Sequence, residues 1–270
     1  MPTVTIQSAQ IHYKVTGSDS GEPALFLHGV PDAGDMWDPL IARIGGNLRA
    51  VAPDLPGLGQ STAPTDFDVS LNNLANFTEE FRHAAGMNEP LHLFVTDFGG
   101  HPGLAWAVRH PEAVRSITIF NIAFSSQYRW HINAQLWRTP LIGELAVSTM
   151  PFEMYRRVIQ KTSPELSTSY LRGVYNMSFA NPNVRRMILR LYREQDPRNF
   201  AGWEDQLKAL TAHVPTTVMW GDRDPFAAPH FADRYGNATV HHFPEYGHWL
   251  PLEAPDAVAE KWQMSVFATA

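Results

Sequence analysis

The chain has 270 residues, 44% hydrophobic and 18% charged, with a formal net charge of -6 and no cysteine. That apolar content suffices for a sizeable core and excludes a disordered chain, and no block of like charge offers a nucleic-acid footprint. Without Cys there is no disulfide framework, thiolate catalysis or Cys-ligated zinc. No stretch approaches the ~20 apolar residues of a membrane helix, so no membrane partner is expected. The N-terminal MPTVTIQSAQIHYKV alternates polar and apolar residues and lacks a signal-peptide core. A cytoplasmic protein is expected.

In chain order, residues 11–16, 24–28, 48–53, 91–96 and 114–121 read as strands from their β-branched and aromatic content. Helical segments near 36–45, 70–86 and 99–109 lie between them. The alternation predicts a parallel sheet of right-handed crossovers, and the nearly continuous apolar strands predict helices on both faces. Residues 122–205 break the pattern, with helical periodicity, many Arg and Trp, and no convincing strand. Strands resume at 215–220 and 238–243, before a final helix near 253–267. The expected organisation is a core of residues 1–121 and 206–270 carrying a helical lid, 122–205, over the C-terminal strand ends.

The strongest local signal is LHLFVTDFGG, residues 91–100, where a strand runs into a helix through one polar residue beside glycines. Such a junction strains its central residue and exposes it at the strand tip. Asp97 stands where G-x-S-x-G enzymes have serine, next to the positive end of a helix. Taken alone, Asp97 reads better as an N-cap than as a nucleophile. The surroundings favour chemistry. His28-Gly29-Val30-Pro31 ends another strand, so the backbone N–H groups of Val30 and Phe98 can form an oxyanion hole. Downstream, Trp220-Gly221-Asp222-Arg223-Asp224-Pro225 ends a strand with an acidic turn, and Tyr246-Gly247-His248-Trp249 follows the last strand. Nucleophile, acid and histidine therefore occur in the chain order of that enzyme class.

With HGVP, DLPGLGQS, VTDFGG, GDRDP and GHWLP in place, the chain resembles the α/β-hydrolase family over essentially its whole length. The resemblance implies a mostly parallel eight-stranded sheet flanked by helices, with the lid inserted after the sixth strand. An aspartate at the elbow is similar to the branch of epoxide hydrolases and haloalkane dehalogenases, although Val95 replaces the usual glycine of serine members. The family pattern favours Asp224 over Asp222 as the acid. It implies Asp97 as nucleophile, His248 as base and no metal or organic cofactor. A small-molecule substrate is the expected partner, and a monomer or homodimer the expected state.

Epoxide opening needs an O–H or imidazolium facing Asp97. The family supplies this from lid tyrosines, here Tyr192 together with His131 or Tyr128; His131 matches better by its distance to Pro140 and Glu144. Dehalogenases typically place side-chain N–H donors for the halide just after the HG pair and just after the nucleophile, where Val30 and Phe98 offer no side-chain donor, although Trp130 or Trp137 could bind halide. Epoxide hydrolysis to a vicinal diol is therefore the leading expectation and haloalkane dehalogenation the alternative. Ester or lactone hydrolysis and a non-catalytic receptor are weaker alternatives. Ser61 and His28 read as structural, and His92 and His101 as locally satisfied.

Overall fold

The computed structural model describes residues 1–45 and 47–267. Eight strands form one sheet: β1 Thr3–Ile6, β2 Ala9–Gly17, β3 Glu22–Leu27, β4 Leu48–Pro53, β5 Leu91–Thr96, β6 Val114–Phe120, β7 Thr216–Gly221 and β8 Thr239–Phe243. Their spatial order is β1-β2-β4-β3-β5-β6-β7-β8. β1 and β2 pair antiparallel, as do β2 and β4, and the remaining pairs are parallel. The sheet is thus mostly parallel, as the resemblance implies.

The two-residue period of a strand sends alternate side chains to opposite faces. Leu25 and Leu27 of β3, with Leu93 and Val95 of β5, enter one apolar cluster. Ala24, Phe26 and Phe94 enter the other. Phe26 and Phe94 are register partners and stack at 4.3 Å. Covering both faces explains why β3, β5 and β7 are nearly continuous apolar runs, buried almost throughout. One face carries helices α2, Leu71–Ala84, and α3, Gly100–Arg109; the other carries α1, Asp38–Ile44, and the final helix, Pro255–Phe267.

Between β6 and β7 the chain makes five helices: α4 Ile132–Arg138, α5 Ile142–Ser148, α6 Phe152–Gln160, α7 Thr168–Ser178 and α8 Pro182–Glu194. Each of the last two begins at a side-chain cap, Ser167 for α7 and Asn181 for α8. A sixth helix, α9 (Trp203–Leu210), packs on α3 of the sheet layer, so position 205/206 falls inside a helix. Tyr170 of α7 donates its hydroxyl to buried Asp32, which also accepts the Trp249 indole N–H at 2.8 Å. The insertion is thereby tied to loops at the tips of β3 and β8.

Candidate active site

β5 ends at Thr96, and a 3-10 turn, Asp97–Gly99, leads into α3. Asp97 has φ 47°, a left-handed conformation that costs a non-glycine residue on the order of 1–2 kcal/mol. The neighbouring glycines permit the sharp turn. A Cβ on Gly99 would lie 2.2 Å from the Leu27 carbonyl oxygen, and one on Gly29 would lie 2.4 Å from the Asp97 Cβ. Only glycine lets the β3 and β5 tips approach this closely. The approach brings the Val30 N–H to Asp97 Oδ1 at 2.8 Å, and the Phe98 N–H also favours the ionised carboxylate.

His248 Nε2 stands 3.4 Å from Asp97 Oδ2, and its Nδ1 is 2.7 Å from Asp224 Oδ2. The Asp224 side chain is fully buried, and its Oδ1 accepts the N–H groups of Phe226 and Ala227 at 2.7 and 3.2 Å. Burial alone would push the Asp97 carboxyl up, but His248 and the two backbone N–H groups hold it below the ordinary aspartate value. Burial also opposes charge on His248; the hydrogen bonds and charges of Asp224 and Asp97 outweigh it and raise the imidazole well above its ordinary value.

Asp97 and His248 sit at the floor of a cavity of about 390 Å³ between the strand tips and the insertion, with Asp224 behind His248. Its wall includes every insertion residue singled out from the sequence: Tyr128, Trp130, His131, Trp137 and Tyr192. The Tyr192 side chain is buried, which with the neighbouring Asp97 charge pushes its hydroxyl pKa well above the ordinary tyrosine value, and the hydroxyl makes no hydrogen bond among the described residues. Tyr128 instead donates its hydroxyl to the Phe226 carbonyl at 3.0 Å. His131 caps α4 by accepting the Ala134 N–H through Nδ1, and burial lowers its pKa to about 4, so its imidazole is neutral near pH 7. Trp130 Nε1 is buried without a hydrogen-bond partner among the described residues.

Asp222 lies outside the site, bonded to His242 at 2.7 Å. Ser61 and His28 hold loops: Ser61 Oγ bonds the Asp54 carbonyl, and His28 Nε2 accepts the Leu55 N–H. His92 is satisfied by Ser116 and Glu22. His101 departs from the expectation. It lines the cavity against Phe98 and Phe200, its buried Nδ1 has no partner, and burial lowers its pKa to about 4.

Asn121 was not foreseen. Its Nδ2 donates to Asp224 Oδ2 at 2.9 Å, while its Oδ1 accepts the Gly221 N–H at 3.0 Å, joining the tips of β6 and β7. A polar residue at a parallel strand's C-terminal tip is the signal that could have marked it.

The α/β-hydrolase fold family model matches residues 23–255. The chain belongs to the α/β-hydrolase family. Over 92% of its length, and 82% of the relative's, this hydrolase-family chain is 27% identical to the cis-3-alkyl-4-alkyloxetan-2-one decarboxylase of Shewanella oneidensis. It is 24% identical to epoxide hydrolase 3 of Xenopus tropicalis, covering 92% of this chain and 72% of that one. The crystal structure of haloalkane dehalogenase DbeA from Bradyrhizobium elkani superposes with a TM-score of 0.83 at 22% identity, covering 100% of this chain and 99% of that one. That likeness is one of fold.

Proposed function

We propose that this α/β-hydrolase opens epoxides to vicinal diols through a covalent ester on Asp97, with the helices of residues 122–205 acting as a lid. The observation that carries this reading is a low-pKa carboxylate sharing one apolar cavity with an unpartnered, protonated tyrosine hydroxyl, Tyr192. Asp97 Oδ1 is engaged by the Val30 N–H, which leaves Oδ2 as the attacking oxygen. Oδ2 forms a bond to a ring carbon as the carbon–oxygen bond breaks, and the released oxygen takes the Tyr192 proton. Water then attacks the ester carbon and gives its proton to His248 Nε2, which Asp224 orients. The N–H groups of Val30 and Phe98 stabilise the tetrahedral oxyanion; its collapse expels the alkoxide, which takes the proton of the newly formed Asp97 carboxyl to complete the diol, and the proton on His248 returns to the Tyr192 phenolate. A strained oxygen ring also occurs in the oxetan-2-one of the Shewanella relative's name, and an epoxide in that of the Xenopus relative.

A second reading, cleavage of a carbon–halogen bond, is favoured by one feature: the unpartnered Trp130 indole N–H in the cavity wall. A departing halide could accept its hydrogen bond, whereas Val30 and Phe98 contribute no side-chain donor. Turnover of a terminal epoxide, a 1-haloalkane and a dialkyl oxetan-2-one by wild type, Tyr192→Phe and Trp130→Phe separates the readings. Tyr192→Phe should lower the epoxide rate at least about a hundredfold, the range of general acid catalysis. Haloalkane turnover lost in Trp130→Phe and unaffected in Tyr192→Phe would replace the epoxide reading with the second.

A further inference from the structure

The insertion differs from the rest of the chain in both charge and surface. Residues 122–205 carry eleven Lys or Arg against seven Asp or Glu, whereas the remaining residues carry ten against twenty. A chain of net charge -6 is thus divided into a basic insertion and a strongly acidic remainder. Of the ten large apolar side chains exposed among the described residues, seven lie between 132 and 158. Leu141 is 83% exposed and Leu145 65% exposed, with Ile142 of α5 beside them. Leu136 of α4 and Met154 and Val158 of α6 are exposed and also line the cavity. The apolar surface is therefore continuous with the cavity mouth. An exposed patch of this kind marks an interaction site.

The charges beside the patch give it a sign. Glu144 on α5 is matched by Arg193 at 2.7 Å, and Glu153 on α6 by Arg156 at 2.8 Å. Arg157 and Lys161 are exposed, and their side chains make no hydrogen bond or contact ion pair among the described residues. With Met154 and Val158 they follow the i, i+3, i+4, i+7 spacing of one helix face. Apolar side chains beside exposed cations held in no contact ion pair are the pattern of a helix lying in the interface of an anionic bilayer.

We infer that the outer face of α4–α6 docks on an anionic lipid surface, so that an apolar substrate passes from the membrane into the cavity without crossing water. This goes beyond the proposed reaction and does not depend on its bond type. It revises the expectation of no membrane partner: among the described residues no helix is long and apolar enough to cross a bilayer, but docking requires none. A symmetric contact with a second copy is disfavoured, because it would set Arg157 and Lys161 against their own equivalents.

The test is sedimentation of the full chain with large vesicles of phosphatidylcholine and phosphatidylserine in a 7:3 ratio, against pure phosphatidylcholine, at low and high salt. Binding should favour the anionic vesicles and weaken with salt. Arg157→Glu/Lys161→Glu should weaken it by roughly tenfold or more, given about fivefold per basic residue near such a surface. Leu141→Glu/Leu145→Glu should do the same, and circular dichroism checks the fold of both variants. Anionic vesicles that fail to bind the wild type, or that bind both variants equally, overturn the inference. So does a concentration-dependent dimer in sedimentation velocity that Leu141→Glu/Leu145→Glu dissociates, since that assigns the face to a second copy.

Discussion

At the residue scale, Asp97, His248, Asp224 and Asn121 form one chain of contacts, and each step of the proposed reaction uses a different part of it. Asp97 must be ionised to attack, and its carboxyl is held below the ordinary 3.8. Ester formation should therefore persist as pH falls toward 4. His248 must be neutral to accept a proton from water, and in the free enzyme Asp224 and Asp97 both favour its charged form. Esterification removes the Asp97 charge, so the imidazole pKa falls when the base is needed. Ester hydrolysis should rise with pH through that lowered value, while ester formation stays flat over the same range. Asn121 touches Asp224 and not Asp97. Asn121→Ala should therefore slow hydrolysis about tenfold to a hundredfold, equivalent to one hydrogen bond to a charged group, and leave ester formation near normal. Single-turnover kinetics resolve the two steps; equal losses in both would remove Asn121 from this role.

At the element scale, α2 and α3 are joined by a charged group away from the cavity. Glu79 of α2 accepts the Trp106 indole N–H of α3 at 2.6 Å and the Arg82 Nε and Nη2 groups at 2.7 and 2.8 Å. Burial raises its pKa, but these donors outweigh it and lower the carboxyl from 4.5 to about 2. A depressed carboxyl contributes stability above its unfolded value and loses it as pH falls toward its folded value. Glu79→Gln should thus cost about 2 kcal/mol at pH 7, with the difference from wild type shrinking between pH 4.5 and 2. Urea unfolding at pH 7 and pH 3 measures this; a pH-independent difference would contradict it.

The elements themselves were largely legible because strand and helix patterns are local. Strands 48–53 and 91–96 coincide with β4 and β5, and the glycines around Asp97 announced the turn that strains it. What stayed hidden depends on distant partners. His101 is unsatisfied because Phe98 and Phe200, about a hundred residues apart, enclose its ring in apolar surface. Asn121 was absorbed as the last residue of a strand, and its partners at 221 and 224 come from the far side of the insertion. Tyr128 and Tyr192 carry the same side chain in the same cavity wall, yet one hydroxyl is bonded to a backbone carbonyl and the other makes no hydrogen bond among the described residues.

At the scale of the whole molecule, the parallel sheet brings five strand-tip loops, those after β3, β5, β6, β7 and β8, to one floor, and the insertion supplies the wall above it. Asp32 couples the two layers. It lies two residues after Val30, and its other partner, Trp249, directly follows His248, so a shift of α7 through Tyr170 would be felt at both. Access to the cavity and the geometry of its floor are therefore linked in this fold. The basic, apolar outer face of the insertion and the acidic remainder orient the molecule in a field, with the cavity mouth on the basic side.

The central claim is that catalysis passes through an ester on Asp97, and His248→Gln tests it most directly. This variant keeps the nucleophile and removes the base. Incubated with a terminal epoxide, it should gain the full mass of that epoxide, and peptide mapping should place the adduct on Asp97. Unmodified protein from a variant that is folded and binds the epoxide, or an adduct on any other residue, would contradict the account.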